Sequence, residues 1–137
     1  MNRLSTFIEY PTQIHLFQQI DIQSLIVDLP FCSVRPFNPY DWTNDELNQL
    51  DQKINYQHLI LNIDGIYTDH ELQIIQSTIL SRKLFNIFDG FRIQDIGLIQ
   101  WIQCHFPNQT IQLNSETSGQ NLSWFKPLSS INLSTVV

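Results

Sequence analysis

The sequence predicts an α/β fold made of repeating βα units with parallel strands. Three observations carry this. Short apolar runs recur along the chain at intervals of roughly 20 to 30 residues, segments of helical period separate them, and polar or turn residues follow each run. A doubly wound open sheet and a barrel both satisfy this pattern.

The units can be taken in order. "STFIEY" (5–10) is an apolar run ended by Pro11, and "TQIHLFQQI" follows with Ile14, Phe17 and Ile20 near helical spacing. "SLIVDLPF" supplies a buried strand over 24–27 that stops at Asp28, before a loop carrying Arg35, Pro36 and Pro39. In "DWTNDELNQLDQKI" Thr43 and Glu46 form a capping box, and Leu47, Leu50 and Ile54 make the apolar face of the helix behind it. "HLILNIDG" (58–65) is a third strand, and "TDHELQIIQSTILSRKLF" is the longest helical pattern. Its expected apolar face is Leu72, Ile75, Ile79 and Leu80, with Arg82 and Lys83 in its last turns. "GFRIQD" with "LIQWIQCHF" forms a fourth unit and "IQLNSE" with "GQNLSWFKPL" a fifth. "LSTVV" starts a sixth strand.

Composition narrows the function classes. The 137 residues, 42% hydrophobic and 12% aromatic, suit one domain with a buried core. A net charge of -6 offers no footprint for a phosphate backbone, so stand-alone nucleic-acid binding is not expected. No apolar run is long enough to span a bilayer, and the first residues lack the apolar stretch of a signal peptide, so a cytoplasmic protein is expected. Cys32 and Cys104 belong to no CxxC and are expected to be buried free thiols. The four histidines form no metal-ligand spacing, and no G-x-G-x-x-G, phosphate loop or G-x-S-x-G is present. The tryptophans are expected in the core or at its margin.

In folds of this class the site forms where the strands end, at the meeting point of the βα loops. Those ends carry Glu9, Asp28, Asn62 and Asp64, Gln94 and Asp95, then Asn114, Ser115 and Glu116. Taken together they suit a polar pocket, in which paired carboxylates perform acid/base work or bind a cation. Individually, Asp, Asn and Ser after a strand also cap the next helix.

"RIQDIGLIQWIQCHFPNQTIQLNSETSGQN" resembles the motif of peptidase family U-32, the collagenase-like peptidases. In that motif a strand ends in Gln-Asp-x-Gly, a helix ends before Phe-Pro, and a further strand leads to a downstream Asn. Gln94, Asp95, Gly97, Phe106, Pro107, Ile111 and Asn121 match it. "LILNIDGIYTDHEL" is similar to the family's preceding strand and helix through Leu61, Asn62, Glu71 and Leu72. The departures are a first unit that keeps only Pro11 of Ala-Pro-Ala-Gly-Asn, "DIQSLIV" in place of Gly-Ala-Asp, and Asn114-Ser115-Glu116 where the family has Ser-Thr-Gln.

The resemblance implies a TIM-barrel-like fold of about five βα units plus a terminal strand, with a small open doubly wound sheet as the alternative. Strand-end placement and the resemblance together mark a pocket drawn from Asn62, Asp64, Gln94, Asp95, Glu116 and Asn121. Some relatives hold an iron-sulfur cluster through four cysteines in their later half, and neither Cys32 nor Cys104 corresponds to them, so no cofactor is expected in this chain. A full barrel takes roughly 250 residues. The resulting expectation is a truncated or split U-32-type protein, inactive alone as a peptidase. The alternatives are a non-enzymatic partner or scaffold subunit that completes a barrel with a separate C-terminal half or another copy, and a remnant of a protein hydroxylating RNA or ubiquinone precursors.

Overall fold

The computed structural model describes residues 4–29, 40–113 and 133–136, the last group as backbone. Six strands form one parallel sheet: β1 (Ser5–Phe7), β2 (Ile22–Asp28), β3 (Tyr56–Ile63), β4 (Gly90–Ile93), β5 (Thr110–Leu113) and β6 (Leu133–Val136). Each strand lies beside its predecessor, so the sheet runs in chain order from β1 to β6. The α/β class with parallel strands and intervening helices is thus as the sequence predicted.

Strand alternation divides the sheet's two faces. Leu25 and Val27, then Leu59, Leu61 and Ile63, Phe91 and Ile93, and Ile111 and Leu113 all enter one hydrophobic cluster with the helices. Successive side chains point to opposite sides of a strand. The residues between them, including Ile26, Asp28, Ile60, Asn62, Arg92 and Gln112, therefore face away from that cluster. Ile26 and Ile60 are nevertheless buried, so both faces are shielded from water, as in other all-parallel sheets.

The first helical segment is short, a 3-10 turn at Pro11–Gln13 running into α1 (Ile14–Phe17). The capping box at Thr43 forms as predicted. Thr43 Oγ1 accepts from Glu46 N at 3.1 Å, and Glu46 Oε1 accepts from Thr43 N at 2.9 Å. That backbone N–H is the main reason the Glu46 carboxyl is held below its ordinary value. The predicted single helix behind it breaks at Gln49 into α2 (Asn44–Asn48) and α3 (Leu50–Lys53), with Leu47, Leu50 and Ile54 all buried.

The long helix is α4 (Asp69–Ser81), and its start is a second capping box, Thr68 with Glu71. Ile75 and Ile79 are buried and Leu72 packs beside them, but Leu80 is 49% exposed, contrary to expectation. Consecutive helical residues are about 100° apart, so Leu80 turns off the stripe that Leu72, Ile75 and Ile79 set. The helix also stops sooner than its pattern suggests. Lys83 adopts a left-handed φ of 53°, and α5 (Leu84–Ile87) restarts on a new axis that buries Leu84 and Phe88. Arg82 does not simply complement the helix end. Its Nε donates to Asn44 Oδ1 and its Nη2 to the Trp42 carbonyl, while Asn44 Nδ2 returns a bond to the Arg82 carbonyl. The last helix, α6 (Ile96–His105), buries Leu98, Ile99 and Ile102. Cys104 on this helix is exposed, which corrects the expectation of a buried thiol, because its side chain falls outside that stripe. Trp42 is buried and Trp101 half-buried, while Cys32 and Trp124 lie outside the described residues.

Glycine is required at two points near the strand ends. Gly65, directly after Asp64, has φ 104°, where a side chain is strained. Gly90 opens β4, and a Cβ there would stand 2.5 Å from the Thr110 carbonyl oxygen of the neighbouring strand.

Candidate functional site

Polar side chains line up across the sheet where the strands end. Asp28 is the last residue of β2 and pairs in register with Asn62 of β3; Asn62 pairs with Arg92 of β4, and Arg92 with Gln112 of β5. Residues in register share a face, so these four form one row on the side away from the helices. Asp64, two residues past Asn62, extends the row beyond the end of β3.

The row is held from its centre. Asn62 is fully buried, and its Nδ2 donates to Asp28 Oδ1 at 2.7 Å and to Asp64 Oδ2 at 2.8 Å. Both carboxylates are 7% exposed, so one amide nitrogen brings two shielded acids side by side. These two acceptors also fix the amide's orientation, because a reversed side chain would set its oxygen against both carboxylates. Asn62 Oδ1 is therefore directed away from them, and it has no hydrogen-bond partner. Arg92 Nε, on the opposite flank of Asn62, is likewise buried and unbonded. Leaving such a group unsatisfied typically costs about 1–3 kcal/mol.

The Arg92 guanidinium sits 5.7 Å from the centroid of the Phe7 ring, within the range of cation–π attraction. Phe7 belongs to β1, so this contact reaches over β2 and β3. Among the described residues no carboxylate forms an ion pair with Arg92.

The Gln-Asp-x-Gly turn has a different role in the fold. Gln94 Oε1 accepts from Gly65 N at 3.1 Å. Asp95 Oδ1 accepts from Leu98 N at 3.1 Å, which caps α6, and its Oδ2 accepts from Tyr67 N at 3.0 Å. Both side chains thus bind the loop after β3 to the loop after β4, and both oxygens of Asp95 are directed at backbone. Gly97 lies in the first turn of α6, where a Cβ would press to 3.2 Å from Asp95 Oδ1. Of the sequence-derived pocket residues, Asn62 and Asp64 come together with Asp28, Gln94 and Asp95 brace the rim, and Glu116 and Asn121 lie outside the described residues, as do Asn114 and Ser115.

Arg92 and Gln112 join the row without having been singled out from the sequence. Their signal was a polar residue between apolar neighbours, Phe91 and Ile93 for one, Ile111 and Leu113 for the other. That period-2 pattern puts them on the face opposite the core. Chemically, the row offers two shielded carboxylates joined through one amide, the kind of pair that acid/base work uses, and beside it a buried, unbonded acceptor and a buried, unbonded donor. Among the described residues no cluster of three or more His, Cys, Asp or Glu side chains is arranged to hold a metal ion. No helix among them is long and apolar enough to cross a membrane.

Compared with family models, curated proteins and solved structures, the chain matches none.

Proposed function

We propose that this chain forms one side of the strand-end pocket of a U-32-type barrel protein acting on peptide bonds, and that it is inactive as a peptidase by itself. The observation that carries the proposal is the polar row, Asp28-Asn62-Arg92-Gln112, on the face away from the helices of a sheet whose strands stand in chain order. Chain order with helices on one side is the arrangement of a barrel wall, whose interior is the face without helices. The Arg92–Phe7 contact over two intervening strands supports an inward curve. The six described strands are fewer than the eight that close such a barrel, and on this reading further strands complete the pocket. Within it, Asp28 and Asp64 are the candidate proton-transfer pair and Asn62 positions them.

The test is proteolysis of gelatin and casein by the purified chain, alone and after co-expression with the C-terminal half of a U-32 protein. The chain alone is expected to be silent, and the two halves are expected to co-purify. Cleavage by the chain alone at the rate of an intact U-32 protein would refute the proposal.

A second reading, a non-enzymatic subunit that docks another protein, is favoured by one observation. Among the described residues, β1 and β6 each pair on one side only, and open edges are templates for added strands. Sedimentation and co-purification separate the readings, since a stable monomer without a partner would count against docking.

A further inference from the structure

We infer that the side-chain amide of Gln94 binds a main-chain carbonyl of a peptide at the strand ends, with an aliphatic side chain of that peptide against Ile66 and Ile96. Gln94 is 5% exposed, and its Oε1 accepts from Gly65 N at 3.1 Å. That bond fixes the amide, because a reversed side chain would set its NH2 against an N–H. Nε2 is therefore directed away from Gly65. Among the described residues nothing accepts from it, and unlike Asn62 Oδ1 and Arg92 Nε it is not sealed from solvent. A nearly buried side chain thus presents an unpaired donor at a narrow opening, which a single acceptor atom of a larger ligand can reach.

Ile63 and Ile93 are the last pair of the β3–β4 ladder, so Asp64 and Gln94 are the next residues on adjacent strands. Each stands two positions past a member of the polar row, Asn62 or Arg92, and so on the face away from the helices. An uncharged acceptor suits this place better than an anion. The Asp95 carboxylate follows Gln94 directly in the chain, while the cation of the row, Arg92, has its guanidinium turned toward Phe7 of β1. Gly65 and Tyr67 are bonded to Gln94 and Asp95, which holds Ile66, between them, at the same rim as Ile96, and both isoleucines are exposed. A polar anchor with apolar surface beside it is the usual composition of a binding site. The choice of a peptide as the source of the carbonyl rests on the peptide-bond reading above.

The experiment is an NMR titration of the full 15N-labelled chain with N-acetylleucine methylamide, following the Gln94 side-chain NH2 signals. N-acetylglycine methylamide and acetate are titrated in parallel. The leucine compound is expected to shift the Gln94 NH2 saturably, with the glycine compound roughly tenfold weaker and acetate without a saturable shift. Gln94→Glu keeps an acceptor for Gly65 N and removes the donor, and it is expected to weaken the leucine compound roughly tenfold. If that variant fails to fold, the titration of the parent chain decides. The inference is overturned if the Gln94 NH2 shows no saturable shift, as it would if water alone occupied the opening. It is equally overturned if acetate or the glycine compound binds as well as the leucine compound, or if a folded Gln94→Glu binds unchanged. Binding by a chain that gains no peptidase activity with a C-terminal half would keep this site and refute the peptidase reading, whereas active halves with a silent Gln94 signal would do the reverse.

Discussion

Replacing Asp95 with alanine discriminates a bracing carboxylate from a chemical one. Asp95 is 6% exposed and accepts two backbone N–H groups, from Leu98 at 3.1 Å and Tyr67 at 3.0 Å. Losing an N-cap acceptor costs about 1 kcal/mol. The bond from Tyr67 is to an ionised group, and such bonds contribute about 1.5–3 kcal/mol. Together they give an expected loss of about 3 kcal/mol. In urea, with a slope of about 2 kcal/mol per molar, the unfolding midpoint should fall by about 1.5 M. Asp95→Asn keeps one acceptor oxygen but turns an NH2 toward the other N–H, so its midpoint should lie between the parent and the alanine variant. The reasoning fails if the alanine variant unfolds within about 0.3 M of the parent, well below what two lost bonds imply.

Gly90→Ala is expected to lower stability by about 1–3 kcal/mol, because the new Cβ meets the Thr110 carbonyl in the adjacent strand, where backbone cannot step aside; an unchanged urea midpoint would contradict this. Thr68→Ala removes the acceptor for Glu71 N and should cost about 1 kcal/mol, read as a lower melting temperature. Acid should weaken the fold in part through Glu46 and Glu71, whose carboxyls are held below their ordinary values by the Thr43 and Thr68 backbone N–H groups respectively. A depressed folded-state pKa gives stability that is present above the unfolded value, about 4.3, and lost as pH falls through the lower folded one. The double variant Glu46→Gln, Glu71→Gln should therefore show a shallower decline of stability below about pH 4.3 than the parent, measured by urea unfolding at stepped pH. An identical slope would mean the capping carboxylates are not the source.

Local signals were read well where local physics decides them. Apolar runs located all six strands, and the Thr43 capping box follows from hydroxyl and carboxylate reach alone. Helix interruption was less visible, because the breaks at Gln49 and Lys83 answer to tertiary packing of Leu50 and Leu84, for which no proline or glycine marks the position. The candidate site divided in the same way. Asn62 and Asp64 were recognisable as polar residues at a strand end. Their link to Asp28, and the alignment with Arg92 and Gln112, depends on register between strands up to 84 residues apart in number, from Asp28 to Gln112, and a single sequence does not encode register locally. Asp95 had two plausible roles at its position, and only the location of the Tyr67 N–H assigns both of its oxygens to the backbone.

The chain-ordered sheet also bears on how the molecule acquires its structure. Among the described strands each pairs only with its neighbours in the chain, so each closure joins consecutive strands. The loop-closure cost of each step is correspondingly modest, and low sequence separation between contacts favours fast folding. Assembly can thus proceed from β1 onward as synthesis exposes each unit, one growing edge at a time. Such growth resembles the propagation of a repeat array more than the collapse of a sheet with interleaved strands.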